Sequence, residues 1–364
     1  MGLAALALTF MLGAAKKDER GVRVLLGEIS QPVMLDGKEL KVQSKRKAQN
    51  FNGKVQVEPR DGKLWIQGKD VGASLKISGS GPISANGKSY HGGLRIEKVE
   101  GHFLMINILG LEDYLAGVVK NEMSVKWPME ALKAQTILAR TYALGRMEQP
   151  RTEFYDLFST VEDQVYSGMD AEAEESWKAI KETRGEVLFY QGKPAQVYYH
   201  SCCGGWTEPV EYVWGGSGNP YLTAVKCDYC QDCPYYFWRY PDQSALSGQE
   251  LANRLGYQGE TVSEARVADL SPGQRVIKLE LKFQSGYKTM ISGNDFRVRL
   301  GREVIRSTLF KVEKVPEGFI VFGSGSGHGV GLCQWGAKGM AEAGKSCQQI
   351  LEYYFPGAEI KKAD

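Results

Sequence analysis

LEDYLAGVVKNEMSVKWPMEALKAQTILARTYAL, Leu111 to Leu144, is the stretch that decides the fold class. Before it, apolar and polar residues alternate; within it, apolar residues recur at helical spacing. Pro128 sits in the first turn of a helix, where its missing N–H costs nothing. Beyond it Leu132, Ala139 and Ala143 share one face, flanked by Leu138 and Leu144, so this helix is expected to be largely buried. Arg140 falls on the same side. A buried guanidinium must be paired, either in a structural ion pair with Glu112, Asp113 or Glu130 or in a cleft. The helical signal runs from Leu111 to about Met147.

Toward the N-terminus, from Val22 to about Leu109, the segments VRVLLGEI, LKVQ, GKVQVEPRDGKLWIQG, ASLKISG and LRIEKVEGHFLMINIL are punctuated by DG and NG turns. This is the pattern of antiparallel hairpins. Toward the C-terminus the spacing predicts a helix over 171–183, a strand EVLFY, a GK turn and a strand AQVYYHS that delivers His200 and Ser201. A helix over 245–255 and strands at VIKLELKF, YKTMISG and GFIVFGSG follow, then a helical run from Ala337 to Ala343. The expected class is α+β, with a β-rich N-terminal unit over 16–109 and a mixed helix and strand region over 110–364.

The 364 residues are 43% hydrophobic and 24% charged, enough to bury a sizeable core. A formal net charge of +2, with Lys and Arg scattered, excludes the basic footprint of a nucleic-acid binder. The start, GLAALALTFMLGAA followed by KKDER, reads as an export signal over 1–15 rather than a membrane span. No cysteine closes that run, so no lipid anchor is expected, and the mature chain begins near Lys16. Seven cysteines include two clusters, Cys202-Cys203 and Cys227-x-x-Cys230-x-x-Cys233. An exported chain could pair them as disulfides. Thiolates three residues apart on a turn, however, aim at one metal, whereas a disulfide at that spacing is strained.

Three separated segments carry a resemblance. Leu111 to Leu144 contains an E-M element at Glu122 followed by W-P-x-E-A-L-K-A-Q. The segment YYHSCCGGWTEPVEYVWGG spans Tyr198 to Gly216. The glycine-crowded GSGSGHGVGLCQWGAKGMAEAG spans Gly323 to Gly344, placing His328 and Gln334 on a backbone bare enough for a ligand to approach closely. In that order, and over roughly residues 90–360, these segments resemble the SpoIID/LytB family, whose members work on bacterial cell-wall glycan. The resemblance implies a SpoIID-like catalytic region, with Glu122 as catalytic acid and the helix after it walling the cleft. It also implies a zinc in some members. Cys203, Cys227 and Cys230 match the family's cysteine-bearing positions, with Cys233 to complete a tetrahedral set and His200 or Cys202 as substitutes. Cys333 and Cys347 are then left to pair or to stay free.

The implied activity is a peptidoglycan lytic transglycosylase cutting the MurNAc-β-1,4-GlcNAc linkage in the periplasm or wall compartment. Such an enzyme manages with one carboxyl, because the C6 hydroxyl of the substrate attacks the anomeric carbon. Arg140, Tyr142, His200, Ser201, His328 and Gln334 are the expected substrate contacts, with Trp206, Trp214, Tyr221 and Trp335 suited to stacking on sugar faces. The LytB branch implies the alternative, a non-catalytic wall binder that stimulates an N-acetylmuramoyl-L-alanine amidase. A thiol nucleophile at Cys203 lacks any local signature of such a family.

Overall fold

A computed structural model describes residues 21–45 and 47–363. The expected export signal over 1–15 lies outside the described residues. Two compact units are present: one runs up to Gly117 and takes in Arg146–Asp170, and the other joins Val118–Gly145 to the residues from Ala171 onward. The class is α+β.

In the first unit the alternating segments form two sheets. The seven-stranded sheet has the order Leu157–Phe158, Val22–Ile29, His102–Leu109, Gly93–Val99, Ser74–Ser78, Leu40–Gln43 and Ala48–Phe51. Its one parallel pair joins Val22–Ile29 to Leu157–Phe158. The six-stranded sheet runs Lys88–Tyr90, Ile83–Ala85, Val33–Asp36, Val55–Arg60, Lys63–Ile66 and Lys69–Gly72. The period of two sets which side faces inward: Val33 and Leu35, Val55 and Val57, Leu64 and Ile66, Leu75 and Ile77 are all buried. A short helix α1, Leu111–Ala116, follows the last hairpin.

The second unit begins with α2, Val119–Glu122, and α3, Met129–Glu148. Buried residues run almost continuously from Ala131 to Thr141 in α3, so it is enclosed by protein rather than laid on a surface. Arg140 is 1% exposed and donates to the Glu186 carbonyl at 3.0 Å and to Thr183 Oγ1 at 3.4 Å. Those groups come from the end of α4, Glu174–Glu182, and the strand Glu186–Tyr190 after it.

Of the expected strand AQVYYHS only Tyr199–His200 is paired, in parallel with Leu332–Cys333. The partner segment is itself two residues long because the glycine-rich loop precedes it and a helix follows. After α5, Glu211–Trp214, comes a substructure with its own core. It holds two three-stranded sheets, the helices α6, Gly248–Arg254, and α7, Gly293–Leu300, and buried residues that include Leu251, Leu281, Phe283, Phe296 and Phe319. The strand Val262–Leu270 and α7 go beyond the sequence expectation. Only Val262 of that strand is buried, and α7 opens on Gly-Asn-Asp, which reads as a turn. The chain ends with α8, Gln334–Glu342, α9, Cys347–Tyr354, and the edge strand Glu359–Lys362. No described helix is long and apolar enough to cross a membrane.

Candidate functional site

Glu122 ends α2, half-buried, just before the buried Met123. The amide of Gln334, 212 residues away in sequence, donates from Nε2 to the Glu122 carbonyl at 3.0 Å. The same nitrogen lies 3.3 Å from Gln135 Oε1 on α3. Beside this corner Trp127 and Trp335 meet edge to face with ring centroids 4.9 Å apart, and the Trp335 N–H donates to the Ser201 carbonyl at 3.0 Å. The start of α8, the end of α2 and the middle of α3 are thus tied together around one carboxyl-bearing residue. Tyr142 lies half-buried further along α3.

Directly before Gln334, Cys333 belongs to a second construction. The sulfurs of Cys203, Cys227, Cys230 and Cys333 all lie within 4.8 Å of one another, every one of these residues buried, and Cys203 Sγ stands 3.5 Å from Cys230 Sγ. Four thiolates around one tetrahedral ion with bonds of about 2.3 Å would stand about 3.8 Å apart, so the set fits a metal. Its outer partners fit as well. Cys333 Sγ accepts the N–H of Cys203 at 3.2 Å and of Gly336 at 3.3 Å, and the Tyr354 hydroxyl lies 3.1 Å from Cys227 Sγ. Cys233, expected to complete the set, lies outside it and Cys333 stands in its place. The turn that sends the Cys233 N–H to the Cys230 carbonyl carries its sulfur to the Tyr235 N–H at 3.4 Å instead. The substitutes Cys202 and His200 are also outside it: Cys202 Sγ faces the Cys230 carbonyl, and His200 Nδ1 stands 3.2 Å from the Val330 carbonyl. Cys347 has no disulfide.

His328 belongs to neither group. Its ring packs on Trp214 at 5.0 Å, His200 at 5.5 Å and Tyr198 at 6.2 Å between centroids. Its Nδ1 accepts the Val330 N–H at 3.0 Å. Burial, with Arg275 nearby, lowers its pKa to about 4, so the ring is neutral. Burial acts the same way on His200, helped by His328 and Arg275. Close by lies a buried ion pair that the sequence reading did not single out. Arg275 Nε is 3.6 Å from Glu208 Oε2, with side chains 2% and 1% exposed. Glu208 also accepts Ser271 Oγ at 2.7 Å, yet burial raises its pKa. The glycine-rich loop lies against these groups. At Gly329, φ +90°, a Cβ would sit 2.5 Å from Arg275 Nε; at Gly325, φ +75°, it would sit 2.6 Å from the Cys202 carbonyl oxygen. The loop is bare because it packs on the chain's own atoms and needs left-handed backbone.

Residues 99–190 match the model of the family described as stage II sporulation protein, and 230–331 match a domain of unknown function, DUF8618. An uncharacterized protein of Brachyspira hyodysenteriae is 36% identical over 280 residues, covering 76% of this chain and 74% of that protein. The stage II sporulation protein D of Bacillus amyloliquefaciens is 32% identical over 273 residues, covering 70% of this chain and 75% of its own. The chain belongs to the SpoIID family. The amidase enhancer of Bacillus subtilis is 31% identical over 361 residues, taking in 85% of this chain and 50% of that protein.

In this SpoIID-family chain the family match at 99–190 contains Glu122 and Gln135, while Gln334 lies beyond both matched regions. Among the aromatics, Trp206 and Trp214 are 41% and 52% exposed, whereas Tyr221 is buried with its hydroxyl accepting the Gln196 N–H at 2.7 Å. Cys333 and Glu208 could have been found in the sequence, since both lie inside the family-like segments. Nothing local marks Arg275.

Proposed function

We propose that the protein is a peptidoglycan lytic transglycosylase and that Glu122 is its single catalytic residue. The observation that carries this reading is the Gln334 to Glu122 contact, which joins the two family-like segments that bracket the molecule's chemistry. The Glu122 carboxyl gives its proton to the glycosidic oxygen as the bond from the MurNAc C1 breaks. The resulting carboxylate then takes the proton of the C6 hydroxyl as O6 bonds to C1. The products are a 1,6-anhydro-MurNAc end and a new GlcNAc end, with the acid restored.

Gln334 fixes the backbone that carries Glu122, Trp127 and Trp335 offer ring faces to sugars, and Tyr142 and Ser201 lie within the same framework. Arg140, His200 and His328 are engaged with backbone groups, so in this reading they shape the wall of the site. A zinc ion suits four buried thiolates best. Held by Cys203, Cys227, Cys230 and Cys333, it would have no open position and would supply rigidity, anchoring the residue that precedes Gln334. The protein would act after export, in the periplasm or wall compartment.

Mass analysis of products from purified glycan strands tests the reading. Anhydro-MurNAc ends are expected. Reducing MurNAc ends would mean a hydrolase instead. A second reading draws on the relative named amidase enhancer: a wall-binding protein that stimulates an N-acetylmuramoyl-L-alanine amidase. Intact strands together with faster amidase turnover would favour it.

A further inference from the structure

The buried pair Glu208–Arg275 opens onto a cavity of about 280 Å³ whose wall includes Ser271, Asn294, Arg297 and His328. Arg275 is held at one end, donating from Nη2 to the Cys203 carbonyl at 2.9 Å. Its Nη1, fully buried, has no acceptor among the described residues. Arg297 is anchored through Nε to the Ile305 carbonyl at 3.0 Å, which leaves its charge at the cavity wall. The first turn of α7 also reaches this wall through Ser292 and Asn294, with Ser292 Oγ donating to the Asp295 carboxylate at 2.7 Å. Facing these groups is one carboxyl. Glu208 Oε2 takes Ser271 Oγ, while Oε1 is buried with no donor among the described residues.

Two guanidiniums on the cavity wall, one with a buried N–H lacking an acceptor among the described residues, face the one carboxyl that lines it and call for one negative charge. They do not call for two, because a dianion would meet Glu208 at close range. Glu208 Oε1 in turn calls for a hydrogen-bonding group next to that charge. We infer that this cavity binds a small monocarboxylate bearing an N–H or O–H group close to its carboxylate, with Arg275 and Arg297 taking the charge and Glu208 the neighbouring group. The volume lies just under the roughly 300–1,000 Å³ of drug-sized ligand sites, which fits the end of a short peptide or an α-hydroxy acid. The inference rests on the cavity alone and is independent of the role given to Glu122.

Calorimetric titration of the full chain with alanyl-alanine, alanyl-alanine amide, lactate and inorganic phosphate tests it. Saturable binding of a free acid is expected, with the amide weaker by at least about tenfold, or 1.4 kcal/mol. Preference for alanyl-alanine over lactate identifies a peptide terminus as the source, and the reverse identifies a hydroxy acid. Arg297→Gln should weaken acid binding while the protein stays folded, with at most a small drop in melting temperature from the lost bond to the Ile305 carbonyl. Arg275→Lys, which keeps the charge but loses the fork, is the second variant and should weaken it too. Equal binding of acid and amide, phosphate tighter than either acid, no acid binding up to about 10 mM, or full binding by folded Arg297→Gln would each overturn the inference.

Discussion

The corner around Glu122 and the buried pair Glu208–Arg275 lie in the same unit and treat charge in opposite ways. Glu122 is half-buried and held through its backbone, by the neutral amide of Gln334. Glu208 and Arg275 are buried at the end of a cavity and held through their charged ends. A residue tied down through its main chain is positioned without any demand on its carboxyl's charge, whereas a buried carboxylate beside a guanidinium depends on that partner. Under the proposed function the first place does the chemistry, while the second ties the stability of the unit to the cavity it lines.

The sharpest way to break that contrast is Glu122→Gln. It should slow glycan cleavage by about 10²–10⁴-fold, the usual worth of a general acid, while the melting temperature stays put; undiminished turnover would remove Glu122 from the chemistry. Arg275→Met should do the reverse in kind, costing about 3–5 kcal/mol in urea unfolding by stranding Glu208. The double variant Arg275→Met with Glu208→Leu should recover part of that loss.

The thiol cluster sits between the two behaviours. Elemental analysis should find one metal ion per chain, and Cys333→Ser should lower that occupancy and the melting temperature by ~5 °C or more. A metal-free protein of unchanged stability would show the four thiols to be packing alone.

A smaller effect concerns pH. His328 has a pKa of about 4 when folded against an ordinary 6.5, so the unfolded chain binds more protons between those values. Its contribution is complete above pH 6.5 and is lost as the pH falls toward 4, by roughly 2–3 kcal/mol. His328→Asn should flatten the stability profile in that window; an unchanged profile would place the titration elsewhere. Smallest of all, Gln334→Ala should cost about 1 kcal/mol of stability and lower turnover by a few-fold. A loss as large as that of Glu122→Gln would mean that Gln334 touches substrate.

Local pattern made much of this legible. The alternation from Val22 to Leu109 produced the hairpins because one face of each strand is buried. The helical spacing around Pro128 marked the place of α3. Long-range pairing was not legible. Cys227 and Cys230 lie on one turn and were readable as a pair. The fourth sulfur comes from Cys333, which reaches them because Tyr199–His200 pairs in parallel with Leu332–Cys333. Cys233 was the nearer choice in sequence, but the turn carries its sulfur away. The bareness of the glycine-rich loop reads in sequence as room for a ligand; in the fold, Gly329 and Gly325 lie against Arg275 and the backbone of Cys202, neither of which the loop's own sequence announces.

The strands Phe237–Tyr240 and Gly318–Ser324 pair antiparallel with Phe237 opposite Ser324, so the chain leaves for its separate core and returns at neighbouring points. A segment anchored in this way is topologically an appendix: its ends could be rejoined by a tight turn without rerouting anything else in the unit. Excision would carry away Arg275 and leave the Glu208 carboxylate uncompensated, so a trimmed protein would have to be made with Glu208→Leu. Such a chain would keep the Glu122 corner and all four sulfurs, and would lose the cavity altogether.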